Sequence, residues 1–387
     1  MPLGSRTAAR SDRYGDLVSL FADWRAFQKP KLVDGVPDYT APAMAAQHRE
    51  LARYRQRLAA IDPGGWPVNQ QVDWHLVRAE MNGLDFDHRV LRPWAANPAF
   101  YVTVFTDQSD QPAREGPLAY GAVELWSYAF PLTPERAGRM DAGLRAIPPL
   151  LQQAKKNLVG NARDLWVFGT SSLKQQSADL AALAARVGDG AGSLRTDVSR
   201  AKEATDAFAA WLEAQARSKT ASSGVGVENY NWYLKHVLHL VPWEEMMLQA
   251  GMFDARPRAR ELIYIMLAER AARALGDLWI HSNELTLEQA AQFASANTPR
   301  GWLRLDANTV GAEQHLYLQQ PAYGTSYITG KIQVEALLSG RKQQLGDRFT
   351  MKGFMDDFDA SGLIPVSLLR WELTKKVPDD VARMLEP

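Results

Sequence analysis

His236 and His239 stand three residues apart, and Glu244 and Glu245 come shortly after. Residues three apart share a helix face, so two imidazoles and one carboxylate from this stretch could hold a zinc ion and make hydroxide from bound water. Pro242 lies between the two pairs and should break the helix that would align them. The alternative reading is that Val237, Leu238, Leu240 and Val241 pack while the histidines sit at the rim. The H-E-x-x-H pattern, which sets two ligands and a general base on one helix, is absent from the chain.

Other chemistry can be tested in the same way. Gly324 to Lys331 reads GTSYITGK, but five residues separate its glycines where a phosphate loop has four, and Ile332 stands where that loop needs Ser or Thr. No G-x-S-x-G occurs, so a nucleophile-elbow serine hydrolase has no support. His281 to Glu284 (HSNE) and Glu313 to His315 (EQH) are isolated combinations, and a lone histidine at a helix end more often caps or packs than reacts. The chain has no cysteine, which excludes disulfides, thiolate zinc sites and a thiol nucleophile. Its 44 Lys and Arg balance 44 Asp and Glu, so net charge draws it neither to nucleic acid nor to an anionic membrane.

The elements that must position these groups are helices. Val72, Leu76, Ala79, Gly83, Phe86 and Val90 advance by fours and threes, a stripe of about five turns that Pro93 ends. Leu194, Val198, Ala201, Thr205, Phe208 and Leu212 repeat the pattern, with Lys202, Glu203 and Asp206 on the polar side. Thr133 before Pro134 marks a helix start, and Pro148 and Pro149 should kink that helix. Thr286 and Gln289 read as a capping box. Further helices are expected at 41–61, 171–187, 258–281, 309–319, 324–345 and 350–360, with Gly346 and Gly362 as stops. Only Phe100 to Phe105 is strand-like.

The expected fold is all-α, with a helical half at 1–217, a hinge at Ser218 to Gly226 and a second helical half at 227–387 that completes a cleft. No apolar stretch is long enough to span a bilayer, and the N-terminus MPLGSRTAARSDRYGDL shows no apolar core behind a basic start, so no secretory leader is expected from it. The chain as given is expected to be soluble and cytoplasmic, or exported or periplasmic if a leader has been trimmed.

Two passages of the C-terminal third carry a resemblance. They are RPRARELIYIMLAERAARALGDLWIHSNELTLEQAAQFA, and EQHLYLQQPAYGTSYITGK with the helices after it. With DWHLVRAEMNGLDFDHRVLRPWA and NLVGNARDLW in the first half, they resemble the bacterial domain of unknown function 885, whose members resemble gluzincin-type helical zinc metallopeptidases. The resemblance implies a zinc site built from an H-E-x-x-G-H-H type helix and an E-G-W-A helix, both between NYNWYLKHVLHLVP and EEMMLQAGMFDARPR. Here those passages are nearly adjacent, so the zinc-binding segment is expected to be missing and no metal ligand can be carried over.

The resemblance also implies a substrate-side wall. Tyr323, Tyr327 and Lys331 belong to its tyrosine-glycine segment, where a phenol can donate to the oxyanion of a scissile carbonyl, and Arg258, Arg260 and His281 lie near its cleft. Without metal-bound hydroxide such groups would bind a peptide and hydrolyse little. Three readings are open: an impaired or inactive peptidase relative without a cofactor; an active metallohydrolase with an improvised site at His236, His239 and Glu244 or Glu245; or a non-enzymatic binding protein with an exposed aromatic surface around Trp302, Tyr317 and Tyr323.

Overall fold

The computed structural model describes residues 11–107, 118–187, 193–237, 257–298, 303–305, 308–362, 364–378 and 381–382. It is an all-α architecture. Helices α1 (Tyr14–Phe27), α2 (Ala41–Ala59) and α3 (Val68–Phe86) pack around Trp24, Leu51, Leu58 and Met81. One turn of π-helix, Asp87–Leu91, prolongs α3, and Arg92 then turns left-handed with φ 43° before the short α4, Pro93–Ala96. Pro93 thus ends the stripe where the sequence places the stop.

Helices α5 (Pro134–Asn157), α6 (Arg163–Val187) and α7 (Ser193–Ala216) enclose the largest core. The α7 stripe behaves as its spacing predicts, with Leu194, Val198, Ala201, Thr205, Phe208 and Leu212 all buried. At about 25 cal/mol per Å² of apolar surface, each buried Leu, Val and Phe of the stripe contributes on the order of 1.5–3 kcal/mol before entropy is set against it. Thr133 caps α5 by accepting from the Arg136 N–H, and α5 then continues through Pro148 and Pro149 to Asn157 without a break in helix. Helix α6 begins at Arg163, eight residues before its expected start at 171.

The second half comprises α8 (Val227–His236), α9 (Pro257–His281), α10 (Leu287–Ala296), α11 (Asn308–Gln319), α12 (Tyr323–Leu345), α13 (Met351–Ala360) and α14 (Val366–Thr374). The capping box at Thr286 and Gln289 is formed, and Gly346 and Gly362 adopt positive φ after α12 and α13. Phe100 to Phe105 departs from expectation. Asn97 accepts from the Ala99 N–H and starts a 3-10 turn over Pro98–Tyr101, so only Val104–Phe105 (β3) is extended, pairing in parallel with Val123–Glu124 (β4). The other described sheet is a two-residue hairpin of Leu32–Val33 (β1) and Val36–Pro37 (β2).

The segment read as a hinge runs as a strap bonded to both halves. Ala221 exchanges backbone hydrogen bonds with Asn161 and Arg163, and Ser223 Oγ accepts from the Asp164 and Leu165 N–H groups at the start of α6. Val225 N–H donates to His281 Nδ1 at the end of α9. No described helix is long and apolar enough to cross a membrane.

Candidate functional site

The site begins with a helical period. Arg273, Asp277 and His281 lie four residues apart on α9, hence on one face, and that face meets α11, α12 and α8. Helix α12 opens after Ala322, which is left-handed at φ 68° and has no side chain able to cap the exposed N–H groups. Asp277 does this from another helix. Its Oδ2 accepts from the Thr325 N–H at 3.0 Å, and the N–H groups of Ala322 and Gly324 also reach it.

Tyr230 of α8 adds its hydroxyl, which donates to Asp277 Oδ2 at 3.3 Å and sits 2.6 Å from Thr325 Oγ1. The approach requires glycine at 324, since a Cβ there would stand 2.9 Å from Asp277 Cβ and 3.0 Å from the Tyr317 ring. Asp277 is fully buried, and burial pushes its carboxyl up to about 7 against the opposing pull of its donors.

His281 is also fully buried, and both ring nitrogens are used. Nδ1 accepts from Val225 and Nε2 donates to the Tyr317 carbonyl at 2.9 Å, which fixes a neutral tautomer. Burial lowers its pKa to about 4, so its 3.5 Å approach to Asp277 is not an ion pair near neutrality.

Beside this network lies a tyrosine cluster. Tyr317 and Tyr323 stack at 6.0 Å, Tyr323 and Tyr327 meet edge-on at 5.7 Å, and the Tyr327 hydroxyl donates to that of Tyr323 at 3.4 Å. Arg273 is paired with Glu313, and the Arg270 guanidinium lies 5.1 Å over the Tyr327 ring. Around them Asp277 Oδ1, Arg273 Nε, both amide atoms of Gln314 and His315 Nε2 are buried with no hydrogen-bond partner among the described residues. Such groups are rare in folded interiors, and together they make a wall with hydrogen-bonding capacity left over.

Comparison with known proteins places the chain in a family. The family described as "Bacterial protein of unknown function (DUF885)" matches residues 27–241 and 243–373. The chain belongs to this DUF885 family. No curated protein matches it. In fold it is similar to a candidate lipoprotein of unknown function from Shewanella oneidensis, at TM-score 0.64 and 14% identity, over 95% of this chain and 100% of the other. A candidate lipoprotein from Colwellia psychrerythraea is similar at TM-score 0.59 and 11% identity, over 94% and 97%.

In this DUF885 chain the structure brings Tyr323, Tyr327 and His281 together. Lys331 lies one turn beyond Tyr327 and bonds to Glu335 at 2.7 Å. Arg258 and Arg260 fall on the first turn of α9, and their side chains lie outside the described residues. His236 closes α8 with its ring 4.9 Å from that of Trp232, while its carbonyl accepts from the Asn82 side chain at 3.3 Å. His239, Glu244 and Glu245 lie outside the described residues, among which no three His, Asp or Glu side chains are placed to hold a metal.

The expected exposed aromatic surface is corrected at two of its three positions. Tyr317 and Tyr323 are only 2% and 3% exposed, because α9 packs against α11 and α12, the helices that carry them, and Trp302 lies outside the described residues. Sequence reasoning missed Arg273, Asp277, Tyr230 and Gln314. The four-residue spacing of Arg273, Asp277 and His281 was the signal available.

Proposed function

We propose that this DUF885 protein is a peptidase-like helical scaffold that binds peptide through its tyrosine wall and has lost most or all hydrolytic capacity. The observation that carries the reading is the break in the family match, whose two pieces meet at Pro242. By resemblance, that is where the zinc-binding helices would stand. Among the described residues no three His, Asp or Glu side chains are placed to hold a metal, and His239, Glu244 and Glu245 lie outside them.

The remaining groups suit binding. Asp277 fixes the start of α12, which in turn sets Tyr327, a partly exposed phenol, where it can donate to a peptide carbonyl. Lys331, one turn on and partly exposed, would face an acidic group or a C-terminal carboxylate in competition with Glu335. The proposed organisation is two helical halves, 1–217 and 227–387, joined by the strap at 218–226. Fluorescence anisotropy with labelled peptides tests the reading: saturable binding without cleavage is expected, and a folded protein that binds none of a diverse peptide set would refute it.

A further inference from the structure

A groove of about 630 Å³ opens in the N-terminal half, away from the tyrosine wall. Its volume falls within the usual range for small-molecule sites. Tyr39, Trp94, Phe100 and Tyr120 supply an aromatic lining, and the rings are held in place: Tyr39 meets Phe100 edge-on at 4.8 Å, and its hydroxyl accepts from the Tyr120 N–H at 2.8 Å. Asp87 is the only acidic residue among the described residues of the lining.

Asp87 comes three residues after Leu84 on the α3 and π-helical turn, and both line the groove. Several other polar side chains of the wall are engaged. Gln47 bonds to His88 and to the carbonyls of Phe27 and Gln28, Gln28 bonds to Glu80, and Arg25 pairs with Glu80 at 3.3 Å. The Asp87 carboxylate has no hydrogen bond or ion pair among the described residues, yet it is not among the sealed, unsatisfied atoms, so it reaches the groove's accessible surface. Burial pushes this carboxyl up to about 7, the behaviour of a carboxylate in need of a counter-ion.

We propose that this groove binds a small organic amine, with the ammonium against Asp87 and an aromatic or aliphatic body against Tyr39, Trp94, Phe100 and Tyr120. An ammonium beside a carboxylate and aromatic faces gains both charge pairing and cation–π attraction. The lining's own cations, Arg25 and exposed Lys29, stand on and just after α1, where they leave the acid unpaired.

The test is calorimetric titration of the full chain with phenethylamine, and with 3-phenylpropionate as the acid of matching shape. Phenethylamine is expected to bind and phenylpropionate is not. Asp87→Asn, which removes no internal partner, is expected to keep its melting temperature and lose at least tenfold in amine affinity, and Tyr120→Ala to weaken binding as well. Absence of amine binding, equal binding of the acid, or unchanged affinity in Asp87→Asn would each overturn the proposal.

Discussion

The carboxylate of Asp277 accepts the Thr325 N–H at 3.0 Å, so a residue of α9 caps the helix that carries Tyr323, Tyr327 and Lys331. The tyrosine wall therefore depends on a contact between two helices and not on the local sequence at its own start. Burial raises the Asp277 carboxyl to about 7, whereas in the unfolded chain it should ionise near 4. The folded state thus favours the protonated form.

This linkage has a definite sign. The stabilisation from Asp277 is fully present below about pH 4 and is lost as pH rises through about 7, for a total on the order of a few kcal/mol. Chemical denaturation of wild type and Asp277→Asn across pH 4 to 8 checks it. The wild type's stability relative to the variant should fall with rising pH. A difference that is flat or grows would count against the buried acid. Asp277→Ala, which strips the cap as well, should cost about 1–3 kcal/mol more than Asn.

Gly224 is pressed against the end of α9. A Cβ there would collide with the Ile280 carbonyl oxygen and stand 2.8 Å from His281 Cα, both backbone atoms that cannot step aside. Gly224→Ala should destabilise the protein by about 2 kcal/mol or more and loosen the Val225 to His281 hydrogen bond. Urea unfolding measures the first, and amide exchange at Val225 the second. A neutral result would mean that the strap does not pin α9.

Arg273 and Glu313 are paired within the wall, the arginine side chain 12% exposed and the glutamate 32%. Arg273→Met alone should cost about 3 kcal/mol by stranding a half-sheltered carboxylate. Adding Glu313→Gln should recover much of that. A double-mutant cycle with no coupling would show that the pair contributes nothing.

Tyr327→Phe separates support from recognition. The phenol makes one long hydrogen bond, to Tyr323 at 3.4 Å, so its removal should change stability by no more than about 0.5 kcal/mol. Peptide affinity should fall several-fold. Unchanged affinity would remove Tyr327 from the binding wall.

How much the sequence displayed depended on how local the cause was. The α7 stripe and the Thr286 box are set by residues within a few turns of each other, and both appear as the spacing predicts. The Asp277 cap joins residues 48 apart, and Val225 to His281 joins residues 56 apart, so no window of the sequence could contain either. Tyr317 and Tyr323 are buried where the sequence reading expects exposure for the same reason, since α9, which packs on their helices, lies earlier in the chain. Tyr323 and Tyr327 entered through family resemblance. Asp87 shows no sequence signal, because only the fold decides whether a carboxylate finds a partner.

On the proposed reading, the chain binds peptide through its tyrosine wall and holds no catalytic metal. Zinc content of the purified full chain, measured by elemental analysis with peptide cleavage assayed alongside, tests this most directly. Far less than one zinc per chain after dialysis against trace zinc is expected, with no chelator-sensitive cleavage. One tightly held zinc per chain, with cleavage abolished by chelator and by His236→Ala or His239→Ala, would contradict it.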